Sequence, residues 1–206
     1  MLSTAVLIGF AVAAFAPLAT PALGARAGWV WALLPAGLAT WFAAQIPQVR
    51  AGAPLEQAVP WLPSLGIELA FRLDGLSLVF ALMITIIGTA VVIYAGGYLR
   101  GDRQLPRFYL LLLAFMAAML GVVVADDLIS LFVFWELTSL TSYFLIGYKH
   151  EKEESRAGAL QGLLITGSGG LAMLAGFLLL GADVGTFRIS AMLADPAVAQ
   201  ASPVYL

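Results

Sequence analysis

Residues 128–148 read LISLFVFWELTSLTSYFLIGY, an uncharged run interrupted only by Glu136. At about 1.5 Å of rise per residue, such a run forms a helix of about 30 Å, the thickness of the hydrocarbon core of a bilayer. Glu136 lies about 3 Å along the helix axis from the midpoint. Because a charge is costly there, acids inside a membrane usually face a protein interior or a water-filled path. The stretch therefore predicts a membrane-spanning helix with a functional acid, and it indicates ion or proton transport.

The whole chain has the composition of an integral membrane protein. Of its 206 residues, 62% are hydrophobic and 11% are charged, which lies outside the range of ordinary soluble domains. The first apolar stretch has no basic segment before it and no clear cleavage site after it, so we interpret it as a helix and not as a signal peptide. We predict an all-α integral membrane protein with six transmembrane helices, at about 2–23, 28–46, 75–99, 107–125, 127–148 and 157–181.

The composition also excludes several kinds of site. The chain has no cysteine, which excludes disulfides, thiolate metal ligands and iron–sulfur clusters. Its single histidine, His150, excludes a histidine-rich metal site. A net charge of -2 gives no indication of a nucleic-acid partner, and no phosphate-binding glycine motif is present. We therefore expect neither a cofactor nor a resident metal.

The distribution of basic residues predicts the orientation in the membrane. Seven of the ten Lys and Arg residues fall in the connections on one side of the predicted helices, around Arg26, 100–107 and 149–156. Cytoplasmic loops are enriched in Lys and Arg, so these connections are predicted to be cytoplasmic and both termini external. The external connection between the second and third helices ends in an alternating run, 66–73, which predicts a short hairpin. Residues 182–206 are predicted to be an external connecting segment.

Aspartates precede two of the predicted helices and are interpreted as structural caps. Asp74 directly precedes the third helix, and either Asp126 or Asp127 is placed to begin the fifth. An aspartate in this position accepts hydrogen bonds from the free backbone N–H groups of the first turn. We expect these acids to have a structural role.

Small hydroxyl residues surround Glu136 on the fifth predicted helix. Ser139 and Tyr143 lie three and seven residues further on and share its face, whereas Thr138 points elsewhere. These side chains could hold water or a neighbouring helix, or they could bond to carbonyl groups of their own helix. We regard Ser139, Tyr143 and Thr138 as supporting candidates beside the acid.

A charged loop follows this helix at its predicted cytoplasmic end. The loop is interpreted as a solvated connection, with the alternative that His150, beside Lys149, collects protons there. No Lys or Arg lies in the core of any of the six predicted helices. A carboxyl group that alternately gains and loses a cationic partner can take up and release a proton. Such a partner for Glu136 would therefore come from other sequence or from a different protein of the same complex.

The sixth predicted helix has a stripe of small residues. Gly158, Gly162, Thr166 and Gly170 follow one another at intervals of four, so they lie on one face. Small residues let two helices approach closely inside a membrane. We interpret the stripe as a packing surface.

Several short segments together resemble the large antiporter subunit of Mrp-type Na⁺/H⁺ antiporters. They are FRLDGLS at 71–77, ADDLI at 125–129, FWELTS at 134–139, LLIT at 163–166 and GGLAMLAG at 169–176. The resemblance covers most of residues 66–180. The same family includes the antiporter-like proton-pumping subunits of respiratory complex I, but FWELTS is more similar to the Mrp form.

The resemblance implies the N-terminal part of an inverted-repeat fold in a bacterial cell membrane. In that fold Glu136 pairs with a Lys on a seventh helix, which residues 1–206 do not include, and many relatives carry Lys where this chain has Gln161. The implied protein is not an enzyme but a secondary transporter subunit. Na⁺ and H⁺ are its transported ions, and other subunits and lipid are its partners.

Two alternative functions remain open. One is a proton-pumping subunit of complex I or of a membrane-bound hydrogenase, which would share Glu136 but belong to a redox-driven translocase. The other is a scaffold subunit that transports nothing. Exchange of Na⁺ for H⁺ without an electron donor would distinguish the antiporter from the redox-driven pump.

Overall fold

The computed structural model describes residues 1–62 and 67–194, and these are mostly helical. A 3₁₀ turn at Gly24–Arg26 joins the first two helices. The strands are β1 (Leu55–Leu62) and β2 (Ile67–Leu73). The helices are α1 (Leu2–Leu23), α2 (Ala27–Ala44), α3 (Ile46–Arg50), α4 (Gly75–Tyr98), α5 (Leu105–Val124), α6 (Leu128–Ile146), α7 (Glu153–Val184) and α8 (Ile189–Ala194).

The described residues contain five continuous helical stretches that are long and apolar enough to cross a membrane. The first, Leu2–Arg50, joins α1, the 3₁₀ turn, α2 and α3. Trp31 Nε1 donates a hydrogen bond of 2.9 Å to Thr20 Oγ1 across the turn. In one straight helix these residues would be about 16 Å apart. The chain therefore reverses between α1 and α2.

Helix α1 has its predicted bounds, and the other long helices differ from theirs by one to four residues at one or both ends. The second predicted helix was expected to reach residue 46, but α2 ends at Ala44, and the short α3 follows with Pro47 in its first turn. The sixth was expected to begin at residue 157, but α7 begins at Glu153. Acidic side chains favour the first turn of a helix because they interact with its dipole, and an apolar window does not detect them. The membrane prediction therefore missed the charged start of α7.

Helix α5 is the centre of the packing and contacts α1, α4 and α6. Gly9 of α1 faces Ala117 of α5 so closely that an added Cβ would lie 2.7 Å from the Ala117 Cβ. Gly121 of α5 similarly leaves room for the ring of Phe134 on α6. Small residues inside a membrane allow such close approach. α6 is therefore packed on one side against α5, and its other neighbour is α7.

The two strands form an antiparallel hairpin with an irregularity between Pro60 and Leu62. The carbonyl oxygen of Ala70 accepts a hydrogen bond of 2.8 Å from the backbone N–H of Asp126. Ser130 Oγ donates to the carbonyl oxygen of Glu68 at 2.9 Å. The hairpin therefore lies over the connection between α5 and α6 and fixes the first turn of α6.

Candidate functional site

Glu136 lies in the middle of α6, and its side chain reaches toward α7. A methyl group added at Gly170 of α7 would overlap Glu136 Oε1 and would lie 3.1 Å from its Cδ. Oε1 is buried, and no side chain or backbone group among the described residues forms a hydrogen bond with it. The carboxyl group is therefore seated against the backbone of α7, in space that exists because residue 170 has no side chain.

The neighbouring hydroxyl groups do not bond to this carboxyl group. Thr138 Oγ1 donates to the carbonyl oxygen of Trp135 at 2.6 Å, and Ser139 Oγ approaches the same acceptor at 3.4 Å. The Tyr143 ring packs edge-on against Phe144, with centroids 5.1 Å apart. Hydroxyls in a helix commonly bond back to carbonyls three or four residues earlier. Of the three supporting candidates, Ser139 is the buried one.

Lys149 and His150 lie beyond the end of α6 and do not reach Glu136. Ten residues, or about 15 Å of helix, separate Glu136 from Ile146, the last residue of α6. His150 Nε2 lies 3.5 Å from Glu151 Oε1, and more than half of each side chain is exposed. The two basic residues therefore belong to a solvated loop end, separate from the carboxyl site.

Asp74 is the N-cap of α4. Its Oδ1 accepts from the backbone N–H of Ser77 at 3.0 Å, and Ser77 Oγ accepts from the N–H of Asp74 at 2.7 Å. Burial raises the pKa of the Asp74 carboxyl, but hydrogen bonds from Ser77 and Leu76 and the nearby Arg72 outweigh it. The pKa of Asp74 therefore lies below its ordinary value, which is typical of a carboxylate used as a cap.

The two acids before α6 accept hydrogen bonds from the first turns of two different helices. The sequence left open which of them caps α6, and the structure places Asp127 there, with Oδ1 accepting from the N–H groups of Ile129 and Ser130 at 2.9 Å. Asp126 instead accepts from the N–H and hydroxyl of Ser190 at 2.9 and 2.6 Å. It also pairs with Arg188 at 3.3 Å. Asp126 therefore holds α8 against the α5–α6 connection.

The glycine stripe of α7 is not a packing groove along its whole length. An added Cβ at Gly158 would meet nothing within 4 Å, and at Gly162 it would lie 3.8 Å from Ile146. Thr166 is exposed and bonds to its own helix. Of the four positions, Gly170 alone is tightly enclosed, and its neighbour is a carboxyl group. A four-residue repeat detects a shared face but does not show which member meets another helix.

Comparison with known proteins places these features in a family. Residues 61–109 match the family described as NADH-ubiquinone oxidoreductase (complex I), chain 5 N-terminus. Residues 125–202 match the family described as NADH:quinone oxidoreductase/Mrp antiporter, TM. A putative antiporter subunit mnhA2 of Staphylococcus haemolyticus is 49% identical over 168 residues, which are 81% of this chain and 21% of the relative. The chain belongs to the Mrp antiporter and complex I subunit family.

Other members of the family agree with this assignment. A Na⁺/H⁺ antiporter subunit of Alkalihalophilus pseudofirmus is 46% identical over 180 residues, which cover 87% of this chain and 22% of that protein. A chain in the structure of the Mrp complex from Dietzia sp. superposes with a TM-score of 0.84 at 37% identity, covering 96% of this chain and 22% of that one. The chain spans about a fifth of the length of the curated relatives it matches. The resemblance drawn from the sequence motifs is confirmed, and the chain is a multi-pass protein of the bacterial cell membrane.

Proposed function

We propose that the chain is the N-terminal part of a subunit of a multi-subunit monovalent cation/proton antiporter, with Glu136 as the acid of its proton path. The observation that supports this role most strongly is the seat of the carboxyl group. It lies at the middle of a membrane-spanning helix, and Oε1 is buried without a hydrogen-bond partner among the described residues. An unsatisfied buried acceptor costs about 1–3 kcal/mol or more, so a purely structural residue would be a costly choice there.

The partner that Glu136 lacks is proposed to be a Lys outside residues 1–206. Within residues 1–62 and 67–194, the ion pairs join residues at helix ends, in the hairpin and in loops, and none includes Glu136. A cation that approaches and leaves this carboxyl group would control its proton. We infer that a seventh helix supplies the cation, with Na⁺ and H⁺ as the transported ions and other subunits as partners. Ser139, the buried hydroxyl among the three candidates on α6, is proposed to hold water beside it.

The topology proposed for this function has six crossings, with both termini external. The reversal of the chain between α1 and α2 supports the separation of Leu2–Arg50 into two crossings. The hairpin, Asp74 and α8 would then face outward, and the Lys149–Arg156 loop would face the cytoplasm. Residues 182–206 were expected to form the external connection to the next helix, but α7 continues to Val184, so the proposed connection begins at Gly185. Its last part, 195–206, lies outside the described residues.

A proton-pumping subunit of complex I or of a membrane-bound hydrogenase is the second candidate. The family that matches residues 125–202 is described by both the NADH:quinone oxidoreductase and the Mrp antiporter. This description supports the redox-driven pump as a second candidate function. Vesicles that contain the complete complex should exchange Na⁺ for H⁺ without an electron donor if it is an antiporter. Dependence of proton movement on an electron donor would favour the redox-driven pump instead.

The function of Glu136 is tested by Glu136→Gln in the complete antiporter complex. The amide keeps the shape and removes the titratable group, so the complex should assemble while Na⁺-driven proton movement falls to a small fraction of normal. Glu136→Asp should retain part of the activity with an altered pH profile, because a shorter acid still titrates. Normal transport by an assembled Glu136→Gln complex across the pH range would refute the role and favour the scaffold alternative.

A further inference from the structure

Gly170 occupies an unusual place on an otherwise open helix. α7 is 32 residues long, and its buried residues among those described are Ala159, Gly170 and Gly181. Gly181 is covered by the ring of Phe187. Gly170, near the middle of the helix, is covered by the carboxyl group of Glu136. The two mid-helix positions of α6 and α7 therefore meet through an acid and a glycine.

Close packing of two helix backbones does not explain the glycine at this position. The atoms that an added Cβ would meet are Glu136 Oε1, Cδ and Oε2, and no backbone atom of α6 is among the nearest three. At the neighbouring Gly169 an added Cβ would meet nothing within 4 Å. Glycine in the interior of a helix lowers its stability by about 1 kcal/mol relative to alanine. A glycine that faces open space therefore gives the helix no compensating contact. The space at residue 170 is used by the end of one flexible side chain.

The consequence of adding a methyl group there is local. The overlapping atoms belong to a carboxyl group with rotatable bonds behind it, so the side chain can turn away while the two helices stay in place. An alanine would therefore leave the fold intact but move the carboxyl group off the face of α7. We propose that Gly170 is a positioning residue that sets where the Glu136 carboxyl group lies during proton exchange. This inference rests on the proposed function of Glu136.

The test compares Gly170→Ala with Gly169→Ala in the complete antiporter complex. Each variant adds one methyl group to one of two adjacent glycines of α7. The methyl group overlaps the Glu136 carboxyl group at residue 170, and at residue 169 it meets nothing within 4 Å. Two quantities are measured: the pH profile of antiport in vesicles, and the rate at which a hydrophobic carbodiimide labels Glu136, followed by mass spectrometry. We expect Gly170→Ala to change the labelling rate and to slow antiport by about tenfold, since a displacement of about 1 Å can cost up to about 10²-fold. Gly169→Ala should match the wild type.

A second pair of variants separates positioning from a general packing effect. Glu136→Asp shortens the acid by one methylene group, which withdraws its carboxyl group from α7. Gly170→Ala should therefore add little to Glu136→Asp, both in transport and in assembly, because the overlap is already gone. If Gly170→Ala alone does not assemble, recovery of assembly in the double variant would support the carboxyl contact, and failure of both would overturn it.

The outcomes also separate this inference from the proposed function. Unchanged labelling and an unchanged pH profile in an assembled Gly170→Ala complex would overturn the positioning role, whatever Glu136→Gln does. A full additive loss in the double variant would overturn it as well. Normal transport by Glu136→Gln would refute the proton-path role alone, because the carbodiimide measures the place of the carboxyl group without reference to transport.

Discussion

Replacing Asp126 with alanine should loosen the attachment of α8 to the α5–α6 connection. The Asp126 side chain is 2% exposed and accepts hydrogen bonds from the N–H and hydroxyl of Ser190 and from Arg188. Breaking a fully buried charge pair costs about 3–5 kcal/mol. Because Arg188 is 32% exposed, solvent compensates part of that loss, and about 2–3 kcal/mol is the more reasonable value. Asp126→Asn should cost less, because its amide oxygen can still accept from the Ser190 N–H.

Hydrogen exchange followed by mass spectrometry on the complete complex measures this effect directly. A loss of about 2–3 kcal/mol in local stability raises the opening equilibrium, and so the exchange of the α8 amides, by about 30- to 150-fold. Asp183→Ala is the matched control, since it also replaces an aspartate with alanine, but at an exposed position in the last turn of α7. If the α8 amides exchange no faster in Asp126→Ala than in Asp183→Ala, the anchoring role assigned to Asp126 is wrong.

Two further predictions concern the cap of α4 and the topology. Asp74→Ala removes the capping box with Ser77, so first-turn amides of α4 should exchange about fivefold faster, for a loss of about 1 kcal/mol. Because the pKa of Asp74 is lowered in the fold, this difference should be complete above its ordinary value of about 3.9 and should shrink as the pH falls through the lowered value. Cysteines introduced at Glu153 and Glu56 should react with an impermeant reagent from opposite sides of the membrane, and labelling from one side would refute the proposed orientation.

Hydropathy alone predicted the long apolar helices that the structure contains, because the cost of burying charge dominates the choice of spanning residues. The helix predicted at 127–148 contains α6, with an error of one residue at its start and two at its end. The same reasoning missed the four residues from Glu153 to Arg156 that open α7, since a charged first turn is stabilised by the helix dipole and not by burial.

Of the candidate site, the sequence predicted the acid Glu136 but not the residues that surround it in the fold. A single charge in an apolar run made Glu136 conspicuous, whereas its neighbour Gly170 lies 34 positions further along the chain, where the spacing indicates only a packing stripe. Asp126 and Ser190 are 64 residues apart, and their contact depends on how the chain folds back after α7. Contacts of this kind are tertiary, so periodicity and composition along one sequence carry no record of them.

Helix α6 is held at both ends, which limits how the acid between them can move. Its first turn is fixed by the Asp127 cap and by the bond from Ser130 to the hairpin. Just beyond its last turn, the buried ring of Tyr148 packs edge-on against Phe108 of α5, with centroids 5.4 Å apart. A tilt of about 5° about Asp127 would move Glu136 by about 1 Å but the far end of α6 by about 2.5 Å, against those contacts. Rotation of its own side chain can displace the Glu136 carboxyl group by a similar distance while the helix stays in place.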